Sequence, residues 1–383
     1  MPHSTTLFGH LLSQLPRHQF ENLVSHYDGN RYIKTFSTWN QFQVLLYAQT
    51  CGHQSLRDIE TGFLSQASKL YHLGLPGKIC RNTLSNANAK RDSDIYQDFF
   101  YKLADRCKDL TPKHKFRFKN PLYSLDATTI SLCLSVFPWA RIKHKKGAVK
   151  LHVQLDHGGD IPVFMSVTRG DANDVVVAKN DLVVSRDSIY CVDRGYIDYA
   201  WFRTLDEKGA FFVTRLKENM QYEVVSGGFV GTASVQTDEH IEVDPKKYPK
   251  ELRLVRVYDP KRDEVFEFLT NNFTLPAKTI GDIYKSRWQI EAFFKWIKQN
   301  LKIKTFLGTS ENAVMTQIGV AMCYYLLLAY LKYQTKYAHS LHYLHRLIKA
   351  TLFQKLTLFD ILSLTERRVS RFRDGDPQLI FAF

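Results

Sequence analysis

Asp126 stands in the middle of YSLDATTISL, a run otherwise suited to a buried strand, and Asp193 closes a second such run, SIYCVD. An ionised carboxylate there is costly unless something positive pairs with it. At the end of a strand, such a group is well placed to coordinate a hard divalent cation such as Mg²⁺. Strand and turn caps use the same residue type, so two aspartates alone leave both readings open. A third carboxylate, Glu291, lies in TIGDIYKSRWQIEAFFKWIKQN, which reads as one long helix beginning near Thr279. At about 100° per residue, Tyr284, Arg287, Glu291 and Lys298 fall within roughly 60° of one another, with Lys295 about 20° to the other side. One narrow stripe thus carries a carboxylate among four groups that can contact phosphate. Ile283, Ile290, Phe294, Ile297 and Leu301 make an adjacent apolar stripe able to pack on a sheet. The plain alternative is a solvated face with i,i+4 pairs such as Glu291–Lys295, worth about 0.2–0.5 kcal/mol each.

The chain around these residues is basic. Its 383 residues hold 52 Lys and Arg against 38 Asp and Glu, a formal charge of +14, which excludes an acidic solvating protein and favours a polyanionic partner, nucleic acid before an anionic membrane. At 44% hydrophobic residues it has ample apolar surface to bury, which excludes a disordered chain. Cys51, Cys80, Cys107, Cys133, Cys191 and Cys323 form no C-x-x-C pair, so neither a zinc ribbon nor a disulfide scaffold is expected, and the pattern suits a reducing cytoplasm. The N-terminus lacks a basic region followed by a sustained apolar stretch, so no signal peptide is expected. The longest apolar run, Ile318 to Leu331, is shorter than the ~20 residues that span a bilayer and reads as a buried helix.

Elements to position the carboxylates follow from periodicity. Residues 1 to about 115 read as helical, with Leu7, Leu11, Leu12 and Leu15 and then Trp39, Phe42, Leu45 and Leu46 at helical spacing. The runs from Leu122, Val149 and Ile161 read as strands, and Gly158-Gly-Asp between the last two invites a hairpin. Helices over 173–183 and 199–208 then alternate with strands at 188–196 and 210–217. Strands in a meander followed by this alternation suggest a mixed α/β sheet of the ribonuclease-H kind. Further strand-like runs at about 217–273 look like a β-rich insertion. The chain beyond about 305 returns to helix.

SLDATTI, CVDRGY and Tyr284-x2-Arg287-x3-Glu291-x6-Lys298 resemble the D, D and YREK signatures of bacterial DDE transposases of insertion-sequence family four. The resemblance runs from about Asn120 to Tyr330, and the helical N-terminal segment is similar to the one preceding the catalytic part in one branch of that family. It implies a ribonuclease-H-like core in which Asp126, Asp193 and Glu291 are catalytic and hold two Mg²⁺ ions, with Mn²⁺ able to substitute. Tyr284, Arg287, Lys295 and Lys298 would contact DNA, positioning phosphates without making or breaking bonds. The partners implied are transposon ends and target DNA, met by a homodimer on DNA, in the cytoplasm and without a membrane. The expected organisation is a helical end-recognition domain over 1–115, a catalytic domain over 116–335 carrying the insertion, and a helical region over 336–383. The activity implied is cut-and-paste transposition, with a hairpin step open. Family members use an insertion tryptophan to stack on a flipped base. Here Trp39, Trp139, Trp201, Trp288 and Trp296 all lie outside the insertion, leaving Tyr222, Tyr258, Phe266 or Phe268 for that task. An inactive transposase-derived repressor and a ribonuclease-H-like nuclease without strand transfer are the competing readings. Arg141–Lys146 reads as a basic loop suited to phosphate, Thr365–Arg373 as a basic tail segment, and His152 and Asp156 as residues facing Asp126 or packing.

Overall fold

The computed structural model describes residues 6–70, 73–143, 146–230, 234–301, 303 and 305–363. The basic tail segment 365–373 lies outside the described residues, as do His144 and Lys145 of the expected basic loop. The chain forms two compact units, one from residues up to Leu110 together with those from Gln299 onward, the other from Thr111 to Lys298.

The N-terminal periodicity becomes α1 (Leu7–Ser13), α2 (Arg17–His26), α3 (Thr38–Cys51), α4 (Leu56–Ser65), α5 (Ala67–Leu70), α6 (Arg81–Lys90) and α7 (Asp94–Lys108). Ser37 and Ser55 start α3 and α4 with capping boxes, their side chains accepting from the Asn40 and Asp58 amides.

The second unit is built on β1 (Leu122–Leu132), β2 (Arg141–Lys143), β3 (Lys146–Asp156), β4 (Ile161–Arg169), β5 (Ile189–Cys191), β6 (Phe211–Arg215), β7 (Glu223–Phe229), β8 (Val235–Glu242), β9 (Leu252–Asp259) and β10 (Glu264–Thr270), with α8 (Asp174–Asp181) and α9 (Tyr199–Glu207). β1, β3 and β4 form the antiparallel meander, and β5 and β6 run parallel to β1 on its other side. This is the order expected of a ribonuclease-H-like sheet. β10 then pairs antiparallel with β6, and β9, β8 and β7 follow outward. The β-rich stretch therefore extends the same sheet. Arg141–Lys143, expected in a loop, instead forms the short strand β2 paired with β3.

Side chains alternate across a strand, so register decides which face each residue serves. Leu122, Ile189, Cys191 and Val213 share one face with Val255 and Phe268. Tyr190, Leu125, Val192 and Phe212 share the other, under Val175 of α8 and Trp201 and Phe202 of α9. Ser124 and Asp126 belong to the first face. Its cover is α10 (Ala277–Ser286), through Ile280 and Ile283. α11 (Trp288–Asn300) follows at once. The expected single helix is thus two, because Arg287 tightens the chain with its amide donating to the Tyr284 carbonyl at 3.1 Å.

The chain then forms α12 (Glu311–Gln334), α13 (Leu341–Thr351) and α14 (Leu358–Leu362), all in the first unit. α12, which falls inside the 116–335 stretch read as catalytic, packs among α3, α6, α7 and α13. It is long and apolar enough to cross a membrane, but 89% of its apolar window is buried inside the protein. A helix apolar all round needs neighbours on every side. α7 comes so close that a Cβ on Gly319 would lie 2.9 Å from that of Tyr96.

Candidate active site

The register aligns Ser124 on β1 with Cys191 on β5. Asp126 and Asp193 each lie two residues further on, so neighbouring parallel strands deliver two carboxylates side by side. Asp126 accepts from the Ala127 amide at 2.8 Å. Asp193 caps a short 3-10 turn, its Oδ1 accepting from the Gly195 amide at 2.8 Å. A Cβ on Gly195 would sit 3.0 Å from that oxygen, so glycine lets the turn close on the carboxylate. The Thr214 hydroxyl donates to the Asp193 carbonyl at 3.2 Å and ties the turn to β6.

Glu291 comes in on the first turn of α11. Arg287 at the helix joint bridges two carboxylates: Nη1 lies 3.4 Å from Asp126 Oδ2, and Nη2 donates to Glu291 Oε1. Only 20% of the Asp126 side chain is accessible. Burial pushes its carboxyl up to about 6; the Ala127 amide and Arg287 pull it down, and Asp193 and Glu291 add to the rise. The site therefore sets one desolvated carboxylate, Asp126, beside two partly exposed ones, Asp193 and Glu291, with Arg287 bridging Asp126 to Glu291. Among the described residues no three acidic, histidine or cysteine side chains are gathered tightly enough to hold an ion as they stand. The donor set nevertheless fits a hard divalent cation: carboxylate oxygens, one of them desolvated and short of positive charge.

Tyr284 is half-buried, its ring 5.1 Å from that of Phe268 and under the Arg287 guanidinium at 5.7 Å. Burial raises its phenol, so it is a neutral hydrogen-bonding group at physiological pH. Lys295 is exposed on α11 and Lys298 half-buried. His152 pairs with Ala127 across β1 and β3, which puts it on the face opposite Asp126. There its Nε2 lies 2.8 Å from Thr168 Oγ1, and burial holds the imidazole down to about 4 and hence neutral. Asp156 pairs with Tyr123 on that same opposite face. Asn173 caps α8, its side chain accepting from the Val175 amide at 3.1 Å.

A cleft of about 650 Å³ opens beside Glu291, and Arg215, Lys261, Arg262, Phe266 and Trp288 line it with Tyr284 and Arg287. Arg215, at the end of β6, and Lys261 and Arg262, in the turn between β9 and β10, carry no local signature in the sequence and were not among the expected site residues. Trp288 is 65% exposed and next to the signature arginine; its signal was an aromatic four residues after Tyr284, outside the apolar stripe. Of the aromatics proposed to stack, Phe268 is buried in the sheet and Phe266 has Arg215 over its ring at 4.6 Å. Tyr222 accepts from Arg256, and the Tyr258 hydroxyl donates to Asp263.

The class is that of the DNA transposases: residues 117–327 match the family described as a transposase DDE domain, and residues 3–76 match a domain of unknown function (DUF4372). The chain belongs to the transposase DDE family. A transposase-family protein of Sinorhizobium fredii is 34% identical over 253 residues, 64% of this chain and 69% of its own. An insertion-sequence relative from Geobacillus stearothermophilus is 31% identical over 268 residues, 69% of this chain and 70% of its own. A third, from Synechocystis, is 25% identical over 270 residues, 69% and 75% of the two chains.

Proposed function

We propose that this transposase nicks the ends of a DNA element bracketed by terminal inverted repeats and joins the freed 3′-hydroxyls to target DNA, with Asp126, Asp193 and Glu291 as its catalytic carboxylates. The observation that carries the reading is the convergence of Asp126 and Asp193 from neighbouring strands on a site where Arg287 already links Asp126 to Glu291. The three carboxylates would hold two Mg²⁺ or Mn²⁺ ions. Such ions activate the attacking water or 3′-hydroxyl and stabilise the leaving oxygen of an in-line displacement at phosphorus. The chain's own residues do the placing. Arg287, with a planar fork of donors, turns from the carboxylates to clamp a backbone phosphate. Lys295, Lys298 and the neutral Tyr284 hydroxyl fix neighbouring phosphates. The cleft cations Arg215, Lys261 and Arg262 guide the strand, and Trp288 offers a face for a base. The helical N-terminal domain is assigned to end recognition. Two ends must meet, so a homodimer on DNA is the working form.

The test incubates the protein and Mg²⁺ with duplex carrying the inverted repeat and a supercoiled target plasmid. The reading expects strand breaks at the repeat boundary with 3′-hydroxyl termini, and end DNA covalently joined to plasmid. DNA bound but never cut sinks it. Breaks without joined products would reduce the protein to a nuclease. A double-length strand on a denaturing gel would add the hairpin step.

The raised Asp126 carboxyl gives a pH-dependent signature. Its ordinary value is 3.8 and its folded value about 6. The group therefore stabilises the fold below the first value, and that contribution is lost as pH rises through the second. Mg²⁺ binds only the ionised form. Added Mg²⁺ should raise the melting temperature well above about pH 6, and the increment should shrink on acidification through that value. Melting curves with and without Mg²⁺ near pH 8 and pH 5 check this; an increment independent of pH contradicts it.

A further inference from the structure

We infer that α6 (Arg81–Lys90) is the helix that reads the transposon end, lying in the major groove of duplex DNA. The inference rests on the transposase reading above and gives end recognition an address, in a stretch that neither matched family covers. At about 100° per residue, Asn82, Ser85, Asn86 and Ala89 lie within roughly 60° of a common line. Arg81 and Lys90 flank that line at roughly 80–100° to either side. All six are exposed. Leu84, Ala87 and Asn88 form the buried side. The outward stripe is thus a row of short, uncharged side chains, three of them hydrogen-bonding, between two cations. From Leu73 to Arg91 the sequence contains Lys78, Arg81, Lys90 and Arg91 and no acidic residue.

That is the chemistry of base reading. Asparagine pairs bidentately with the adenine edge, serine takes either donor or acceptor, and a small alanine leaves room for a thymine methyl. Cations to both sides of the row meet the phosphate strands that wall the groove. An α-helix about 10–12 Å across fits a groove about 12 Å wide. A docking protein would be matched by an apolar row, and this face has none.

The helix is also held rigidly from behind. Gln41 donates to Asn88 Oδ1 at 2.9 Å, and Asn312 donates to the Asn88 and Arg91 carbonyls at 2.9 and 2.5 Å. Arg91, 7% exposed, donates to the Phe36 and Ser37 carbonyls and to Gln41. A reader fixed in this way loses little freedom on binding.

The test measures binding of a fluorescein-labelled duplex from the inverted repeat flanking the gene and of a scrambled duplex of equal composition, without Mg²⁺ and over a salt series. Asn82→Ala with Asn86→Ala should cut the preference for the repeat by about tenfold or more, with the salt dependence unchanged. Arg81→Ala with Lys90→Ala should weaken both duplexes alike and flatten the log–log salt slope by about 0.9 per cation removed. All four side chains are exposed, so unchanged melting temperatures establish that the variants fold. Retained preference in the asparagine variant overturns the inference, as does wild-type protein that binds both duplexes equally. Because no cleavage is measured, failure of the catalytic reading shows separately: an α6-dependent preference with no cutting in Mg²⁺ would leave this inference standing alone.

Discussion

Asp126→Asn should leave a protein that folds at least as well as the wild type and binds end DNA, but cuts it about three orders of magnitude more slowly. The amide is isosteric, and its oxygen can still accept from the Ala127 amide. Removing the charge relieves a carboxylate that burial, Asp193 and Glu291 all disfavour, so the melting temperature at neutral pH should hold or rise. Activity moves the other way. Charge stabilisation by catalytic metal is worth several kcal/mol, and each 1.36 kcal/mol is tenfold, which sets the loss at about a thousandfold. Opposite movement of stability and rate separates a catalytic carboxylate from a structural one. A strand-capping aspartate would show the reverse, lower stability with cleavage retained. Gel quantification of nicked ends alongside melting curves decides between them.

Arg253→Met should be the most damaging single change to the sheet extension, at about 3–5 kcal/mol. The Arg253 side chain is 8% exposed, and its fork meets Asp238 at 2.8 and 2.7 Å. Its Nη1 also donates to the carbonyls of Asn272 and Leu275 at 3.0 and 2.6 Å. Methionine fills much of the space but strands a partly buried carboxylate and two carbonyls. Those carbonyls belong to the segment that leads from β10 into α10 and on to Arg287 and Glu291, so DNA cleavage should fall with stability. The melting temperature should drop by roughly 10 °C, and Arg253→Met with Asp238→Leu should recover much of it by removing the orphaned charge. A loss under about 0.5 kcal/mol in denaturant unfolding would mean the pair is no more than a surface ion pair.

Much of the fold could be read from the sequence because period and turn chemistry are local. The alternation through Leu122–Leu132 and Gly158-Gly159-Asp160 specify a central strand and the β3–β4 hairpin without reference to anything distant. The three carboxylates were legible for a different reason, as charges in runs and on a stripe where charge needs an explanation. What escaped depended on distant pairing. The stripe from Tyr284 to Lys298 presupposes one unbroken helix, whereas the chain tightens at Arg287 and turns that side chain onto Asp126, 161 residues away. His152 shares a strand with residues neighbouring the site, but only the β1–β3 register shows that it faces away. Arg215, Lys261 and Arg262 are ordinary basic residues in sequence, and only the pairing of β10 with β6 brings the β9–β10 turn that carries Lys261 and Arg262 beside Arg215 in the cleft next to Glu291. α12 announced that it is buried, but its periodicity could not say among which helices.

The central claim is that Asp126, Asp193 and Glu291 form one metal site, and iron-directed self-cleavage tests it most directly. Fe²⁺ replaces Mg²⁺, ascorbate and peroxide generate hydroxyl radicals at the bound ion, and mass spectrometry maps where the backbone is cut. A shared site predicts cuts clustered around residues 126, 193 and 291, suppressed by excess Mg²⁺ and lost in Asp126→Asn. Cuts elsewhere, or cuts at only one of the three that Mg²⁺ does not suppress, would contradict it.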